Sequence, residues 1–115
     1  MRALGIGLLM AAHATAAVPG YHSIMTGQQL VRDMLADPRE GYNSIRRERA
    51  MGYIDGVMDA TAGVQWCPAG KQVPHELNYL IVEGMSRLNA EQLKGGASPL
   101  VTDGLRRAYP CGARP

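Results

Sequence analysis

Small residues recur every three or four positions in the middle of the chain, at Gly52, Gly56, Ala60 and Gly63. On an α-helix this spacing places them on one narrow face, which another helix can approach closely because little side chain holds it off. Gly costs roughly 0.5–1 kcal/mol against Ala inside a helix, so its repeated use predicts a packing role, within the subunit or across a dimer. Asp55 and Asp59 exclude a membrane span here.

This stretch is predicted to be the central helix of an all-α fold, a small bundle of four to five helices. Larger apolar residues beside the small ones are expected to widen its buried face: Ile54, Val57, Met58, Thr61 and Val64. An earlier helix is predicted to open at Thr26 and Gln29, which have capping-box spacing, and to end before Pro38. Pro74 suits the first position of a third helix. The apolar face of that helix is predicted from Leu77, Leu80, Ile81, Gly84, Met85 and Leu88.

The N-terminus has the pattern of a secretory signal peptide. Arg2 precedes an apolar run over residues 3–12, and small-residue triplets follow it. The run is too short to span a bilayer, and cleavage is expected after Ala14, Ala16 or Ala17. We therefore predict a signal peptide at residues 1–17 and a single exported domain at residues 18–115, with no stable membrane insertion after cleavage.

The chain has two cysteines, Cys67 and Cys111. An even count in an exported protein predicts that they form a disulfide. On the chain-entropy account, closing this loop would stabilise the fold by about 4 kcal/mol. The alternative, a catalytic thiol, requires a reduced cysteine beside a base.

The sequence gives little sign of nucleic-acid binding, metal binding or catalysis. The formal net charge of +2 is spread along the chain and aromatic residues are scarce, which argues against nucleic-acid binding. His22 and His75 are isolated from any metal-ligand cluster, so neither a metal nor a cofactor is predicted. Asp55 and Asp59 share a helix face and could serve paired-carboxylate chemistry, although a structural role inside the domain is favoured. Trp66 is expected to pack over the disulfide rather than bind a ligand.

The order of short motifs resembles the Rap/Tai immunity proteins of type VI secretion. The run Gly-Tyr-Ile-x-Gly-Val-x-Asp-Ala at residues 52–60, including Tyr53, is similar to that family's signature. Cys67-Pro68, the later amphipathic helix, the closing Ala-Tyr-Pro-Cys at residues 108–111 and the opening at residues 27–31 extend the likeness over residues 26–111. The family pattern has two further cysteines where this chain has Met34 and Ala50, so the first helix is expected to be less firmly tied to the second.

The resemblance implies a periplasmic protein that is not an enzyme. Such a protein binds a secreted cell-wall amidase effector, blocks its active-site cleft and protects the producing cell in bacterial competition; the family also allows a homodimer. Contact residues are expected in two loops, Lys71, Gln72 and His75 in one and Glu91, Gln92 and Lys94 in the other.

Two other functions are compatible with the sequence. The first is a periplasmic binding or stress-related module of the same fold without a toxin partner. The second is a small hydrolase built on Asp55, Asp59 and a histidine, which an Asp59→Asn change would inactivate without unfolding.

Overall fold

The computed structural model describes residues 20–70 and 74–112, together with Gly5. Within these ranges the chain forms helices and no strand, which confirms the predicted all-α bundle. The predicted signal peptide lies outside the described residues apart from Gly5. The helices are α1 Gly27–Leu35, α2 Asn43–Thr61, α3 Pro74–Ser86, α4 Ala90–Leu93 and α5 Ala97–Ala108.

Helix α1 begins at the predicted capping box. The Thr26 hydroxyl accepts from the Gln29 backbone N–H at 3.1 Å, and the Gln29 side chain accepts from the Thr26 N–H at 2.9 Å. Two donors that the first helical turn leaves unpaired are thereby satisfied. Leu30 and Met34, one turn apart, are buried against the core.

Helix α2 buries Ile54 and Met58, as predicted, but not the small-residue stripe, which lies on the opposite side of the helix. Ala50, Ile54 and Met58 point into the core, where α2 packs against α1, α3 and α5. Gly52 and Gly56 are exposed, with no atom within 4 Å of the position a Cβ would take. The prediction that the small-residue stripe packs within the subunit is therefore wrong. Larger side chains are buried instead because they remove more apolar surface from water.

The C-terminal part of that stripe is outside the helix altogether. Gly63 follows the end of α2 with a φ of 78°, a left-handed conformation that glycine adopts without strain. Val64, which was expected to widen the buried face, is 79% exposed. Gly63 therefore serves to end the helix rather than to pack it.

The core lies between α1, α2, α3 and α5 and contains no Phe. On α3 the predicted apolar face is mostly correct, but Leu80 is 51% exposed while Asn78 is buried. The buried hydrophobic residues are Met25, Leu30, Met34, Ala50, Ile54, Met58, Trp66, Leu77, Ile81, Val82, Met85, Ala97, Val101 and Leu105.

The predicted disulfide is present between Cys67 and Cys111, whose Cα atoms lie 4.8 Å apart. Trp66 is buried beside it, donates from Nε1 to the Thr61 hydroxyl at 3.0 Å, and lies 6.1 Å from the Tyr109 ring centre. The Cys67 N–H also donates to the Tyr109 carbonyl at 2.9 Å. The tryptophan is thus a packing residue, as expected.

The start of α1 crosses the junction between α4 and α5. The Gly27 N–H donates to the Gly95 carbonyl and the Ala97 N–H to the Met25 carbonyl, both at 2.9 Å. A Cβ on Gly27 would stand 2.6 Å from Leu100 Cδ1 and 3.1 Å from the Leu93 carbonyl oxygen. Glycine is favoured here because a side chain would have to displace Leu100 and would crowd the Leu93 carbonyl.

The contrast between buried and exposed glycines can be tested by two alanine substitutions. Gly27→Ala is expected to lower the free energy of unfolding by about 1–3 kcal/mol, because the methyl group overpacks the crossing. Gly52→Ala is expected to raise it by roughly 0.5–1 kcal/mol, because alanine is the better helix former and meets no neighbour. Urea unfolding at low protein concentration measures both. An equal loss of stability from Gly52→Ala would show that α2 packs through its glycines after all.

Candidate partner-binding surface

The first predicted contact group lies at the start of α3. His75 is exposed and meets the Tyr79 ring edge-on, with 5.3 Å between ring centres. The Tyr79 hydroxyl in turn accepts from Arg47 Nη1 on α2 at 3.4 Å. Lys71 and Gln72 lie outside the described residues. His75 is therefore the only residue of this group that the structure describes, and it is linked to α2 through Tyr79 and Arg47.

The turn between α1 and α2, whose Asp37 is influenced by the charge of Arg47, contains an exposed ion pair. Arg39 donates from Nε and Nη2 to the two carboxylate oxygens of Asp37, at 3.0 and 2.9 Å. These bonds, the Arg39 backbone N–H and the charge of Arg47 lower the pKa of Asp37 below its ordinary value. Asp37 also raises the pKa of Arg39. Both charges are therefore fixed, and the turn presents a neutralised pair to solvent.

The second predicted contact group lies on α4. The Gln92 side chain is occupied within the protein, because its oxygen accepts from the Asn89 N–H. The Asn89 side chain accepts from the Gln92 N–H in turn, and the two bonds form a second capping box. Glu91 and Lys94 form an exposed ion pair at 2.7 Å. The surface that α4 offers a partner is thus a paired acid and base rather than three free polar groups.

The structure does not bring His75 close to the second predicted group on α4. His75 lies at the start of α3, whereas α4 follows its end, and a helix of 13 residues is about 20 Å long. Among the described residues no hydrogen bond or ring contact joins His75 to α4. A partner that touches both groups must therefore cover the length of α3.

Asp55 and Asp59 lie beside the first turn of α3, lining a shallow pocket of about 270 Å³ with Met58 and Pro74. The Asp55 carboxylate accepts from Asn78 Nδ2 at 2.9 Å, so its partner is a buried asparagine on a packed helix. The partial positive charge of the α3 N-terminus favours carboxylates at this position. The bond to Asn78 gives Asp55 a structural role inside the domain, whereas Asp59 is exposed and takes part in no hydrogen bond or ion pair among the described residues.

A groove between α3 and α5 was not foreseen. It has a volume of about 200 Å³ and is called the α3/α5 groove below. Its floor is apolar, and two arginines stand at its rim. The lining residues are Leu80, Ile81, Gly84, Met85, Arg87, Gly104, Arg107 and Ala108.

A wider groove of about 690 Å³ runs between α2 and α5. Its apolar wall includes Val57 and Leu100, and its two charged side chains, Asp103 and Arg106, are paired with each other. Arg106 bonds to Asp103 at 3.1 Å and also to the side chain of Gln65. The α2/α5 groove therefore offers apolar surface without an unsatisfied charge.

The motif residues Gly52, Tyr53, Gly56, Asp59 and Ala60 all lie on α2. Tyr53 is half-buried against the core and the other four are exposed. Of the motif residues, only Tyr53 packs against the core. The other four form an exposed face of α2 that has no large side chain at its centre.

Within residues 20–70 and 74–112, no group of three or more His, Cys, Asp or Glu side chains could hold a metal ion. Both cysteines are consumed by the disulfide. In the same part of the chain no helix has the length and apolarity needed to cross a membrane. The described surface consists of grooves and exposed helix faces, which are features that suit binding to another protein.

Comparison with known proteins gives one clear relationship. A search of curated proteins finds no match. A family model of the Rap1a immunity proteins matches residues 26–111, which begin at the α1 cap and end at Cys111 and so include all five helices. That range is well over half of the chain, and the chain therefore belongs to the Rap1a immunity protein family.

Proposed function

We propose that this protein is a periplasmic immunity protein that binds a type VI secreted peptidoglycan amidase and blocks its active-site cleft. The observation that carries the proposal is the family match over residues 26–111. Inhibition by occupancy requires a complementary surface held in a fixed shape, and it requires no catalytic group. The protein acts in this account as a binder and not as an enzyme.

The helical scaffold holds the protein surface in a fixed shape. The disulfide joins the segment after α2 to the segment after α5, and the core residues of four helices interlock beneath it. A surface that is ordered before binding loses little conformational entropy when the complex forms. Preorganisation of this kind favours the tight complex that protection against a toxic hydrolase demands.

Export to the periplasm is part of the proposal. Disulfides persist in oxidising compartments, and the Cys67–Cys111 bond is consistent with such a location. We assign export to residues 1–17 and the functional unit to residues 18–115. His75, Glu91 and Lys94 stay proposed contacts, together with Lys71 and Gln72, whereas the Gln92 side chain is occupied by its cap.

The outward face of α2 is proposed as the surface of a homodimer. Two antiparallel copies of α2 that cross at Gly52 and Gly56 would place Arg49 of one copy opposite Asp59 of the other. The crossing is permitted by the glycines, which have no neighbour within 4 Å. The charges along this face are therefore complementary to themselves, as a two-fold interface requires.

Immunity is tested by co-purifying the mature protein with the secreted hydrolase encoded by the adjacent gene. We expect a stoichiometric complex and complete loss of peptidoglycan amidase activity at one equivalent of inhibitor. The control is Arg46→Glu, a change at a residue that lines neither groove and whose side chain bonds only to Asn43 among the described residues, and this variant should inhibit equally. A folded protein that leaves the amidase fully active would favour a periplasmic module without a toxin partner.

Dimerisation is tested by sedimentation velocity. Arg49→Asp is expected to shift the protein from dimer to monomer, and the double change Arg49→Asp with Asp59→Arg is expected to restore the dimer by exchanging the paired charges. Thermal unfolding should confirm that each variant is folded. A wild-type chain that remains monomeric at high concentration, or a double variant that does not recover, would contradict this interface.

A further inference from the structure

We propose that the α3/α5 groove receives an apolar side chain of the effector, next to an effector carboxylate that pairs with Arg87 and Arg107. This inference rests on the proposed function and names the chemistry of the partner surface. It differs from the loop contacts predicted from sequence, because His75 lies about 140° around α3 from Leu80.

The groove owes its shape to glycines on both helices. Nothing lies within 4 Å of the place where a Gly84 Cβ would be, so that side of the groove is open. A Cβ on Gly104 would stand 3.3 Å from Ile81 Cδ1, which shows how closely α5 approaches α3 at the floor. Ile81 and Met85 form a buried apolar base, and Leu80 is a half-exposed wall.

The size of the groove limits what can fill it. Small-molecule sites have volumes of about 300–1,000 Å³. The α3/α5 groove, at about 200 Å³, is smaller and open on one side. It matches one apolar side chain presented by another protein, which is the usual form of an interface anchor.

The charge at the rim is unpaired. Among the described residues the guanidinium groups of Arg87 and Arg107 have neither an ion-pair nor a hydrogen-bond partner, and no acidic residue lines the groove. Glu83 lies one turn before Arg87 but forms no ion pair with it. By contrast, carboxylate partners lie within 3.1 Å of four other cations: Arg32, Arg39, Lys94 and Arg106.

Two free arginines beside an apolar floor select for one kind of partner. The planar guanidinium pairs with a carboxylate through two parallel hydrogen bonds, and this pairing strengthens when an apolar contact excludes water beside it. The α2/α5 groove does not need a carboxylate from a partner, because its arginine, Arg106, is already bonded to Asp103 and Gln65. The α3/α5 groove is therefore the site that fits an acidic segment with an apolar tip.

The charge part of the proposal is tested by titrating the effector against the double variant Arg87→Glu with Arg107→Glu. We expect its affinity to fall by about 100-fold, because the rim would then repel the effector carboxylate. Arg87→Lys with Arg107→Lys keeps the charge and should lose less. Arg46→Glu, a single charge reversal on α2 at a residue that does not line the groove, should bind like the unchanged protein.

The shape part is tested by filling the groove. Gly84→Leu places a side chain where no atom lies within 4 Å, and leucine is a better helix former than glycine, so the thermal midpoint should not fall. Effector binding should nevertheless weaken strongly. Gln28→Leu is the control, since it places the same side chain at an exposed position on α1 that lines neither groove, and it should leave effector affinity unchanged.

The outcomes separate this proposal from the function on which it rests. If the unchanged protein binds the effector and the groove variants bind equally well, the groove assignment is overturned while immunity stands. If the groove variants alter only self-association, a second copy of the chain occupies the groove and the assignment is again overturned. If the unchanged protein binds no effector, the proposed function fails and the groove assignment falls with it.

Discussion

The Cys67–Cys111 disulfide is the constraint on which the arrangement of the helices depends. It spans 44 positions and encloses α3, α4 and α5, so it ties the end of α2 to the end of α5. Trp66 and Tyr109 pack beside the bridge, and the Cys67 N–H bonds to the Tyr109 carbonyl. A bridge of this span contributes about 4 kcal/mol on the chain-entropy account, a large share of the ~5–15 kcal/mol net stability of a small protein.

The shape of the surface grooves depends on the rigidity of the helix arrangement. The grooves are formed where α5 meets α3 and α2, and their shape persists only if those helices keep their positions. Inhibition by surface complementarity depends on such persistence more than on any single polar group. Membership of the Rap1a immunity proteins implies a partner effector to which such a surface could bind.

The parts of the fold that follow from local chemistry could be predicted from the sequence. The capping box at Thr26 and the pairing of the two cysteines each depend on few residues. The orientation of α2 could be predicted only in part. Ile54 and Met58 were expected in the core, but together with Ala50 they have the same spacing as the small residues on the opposite side. Only tertiary packing decides which face is buried. Likewise, Arg87 and Arg107 stand 20 positions apart, and no local pattern indicates that they share a groove.

The central claim is that a preformed surface around α3 and α5 binds a secreted amidase. Amide hydrogen exchange, measured with and without the hydrolase encoded by the adjacent gene, tests it most directly because exchange reports on each segment separately. We expect slower exchange in the complex at the exposed residues from Leu80 to Arg87 and from Gly104 to Ala108. Slowing confined to the outward face of α2, or no slowing anywhere in the presence of a saturating hydrolase, would contradict it.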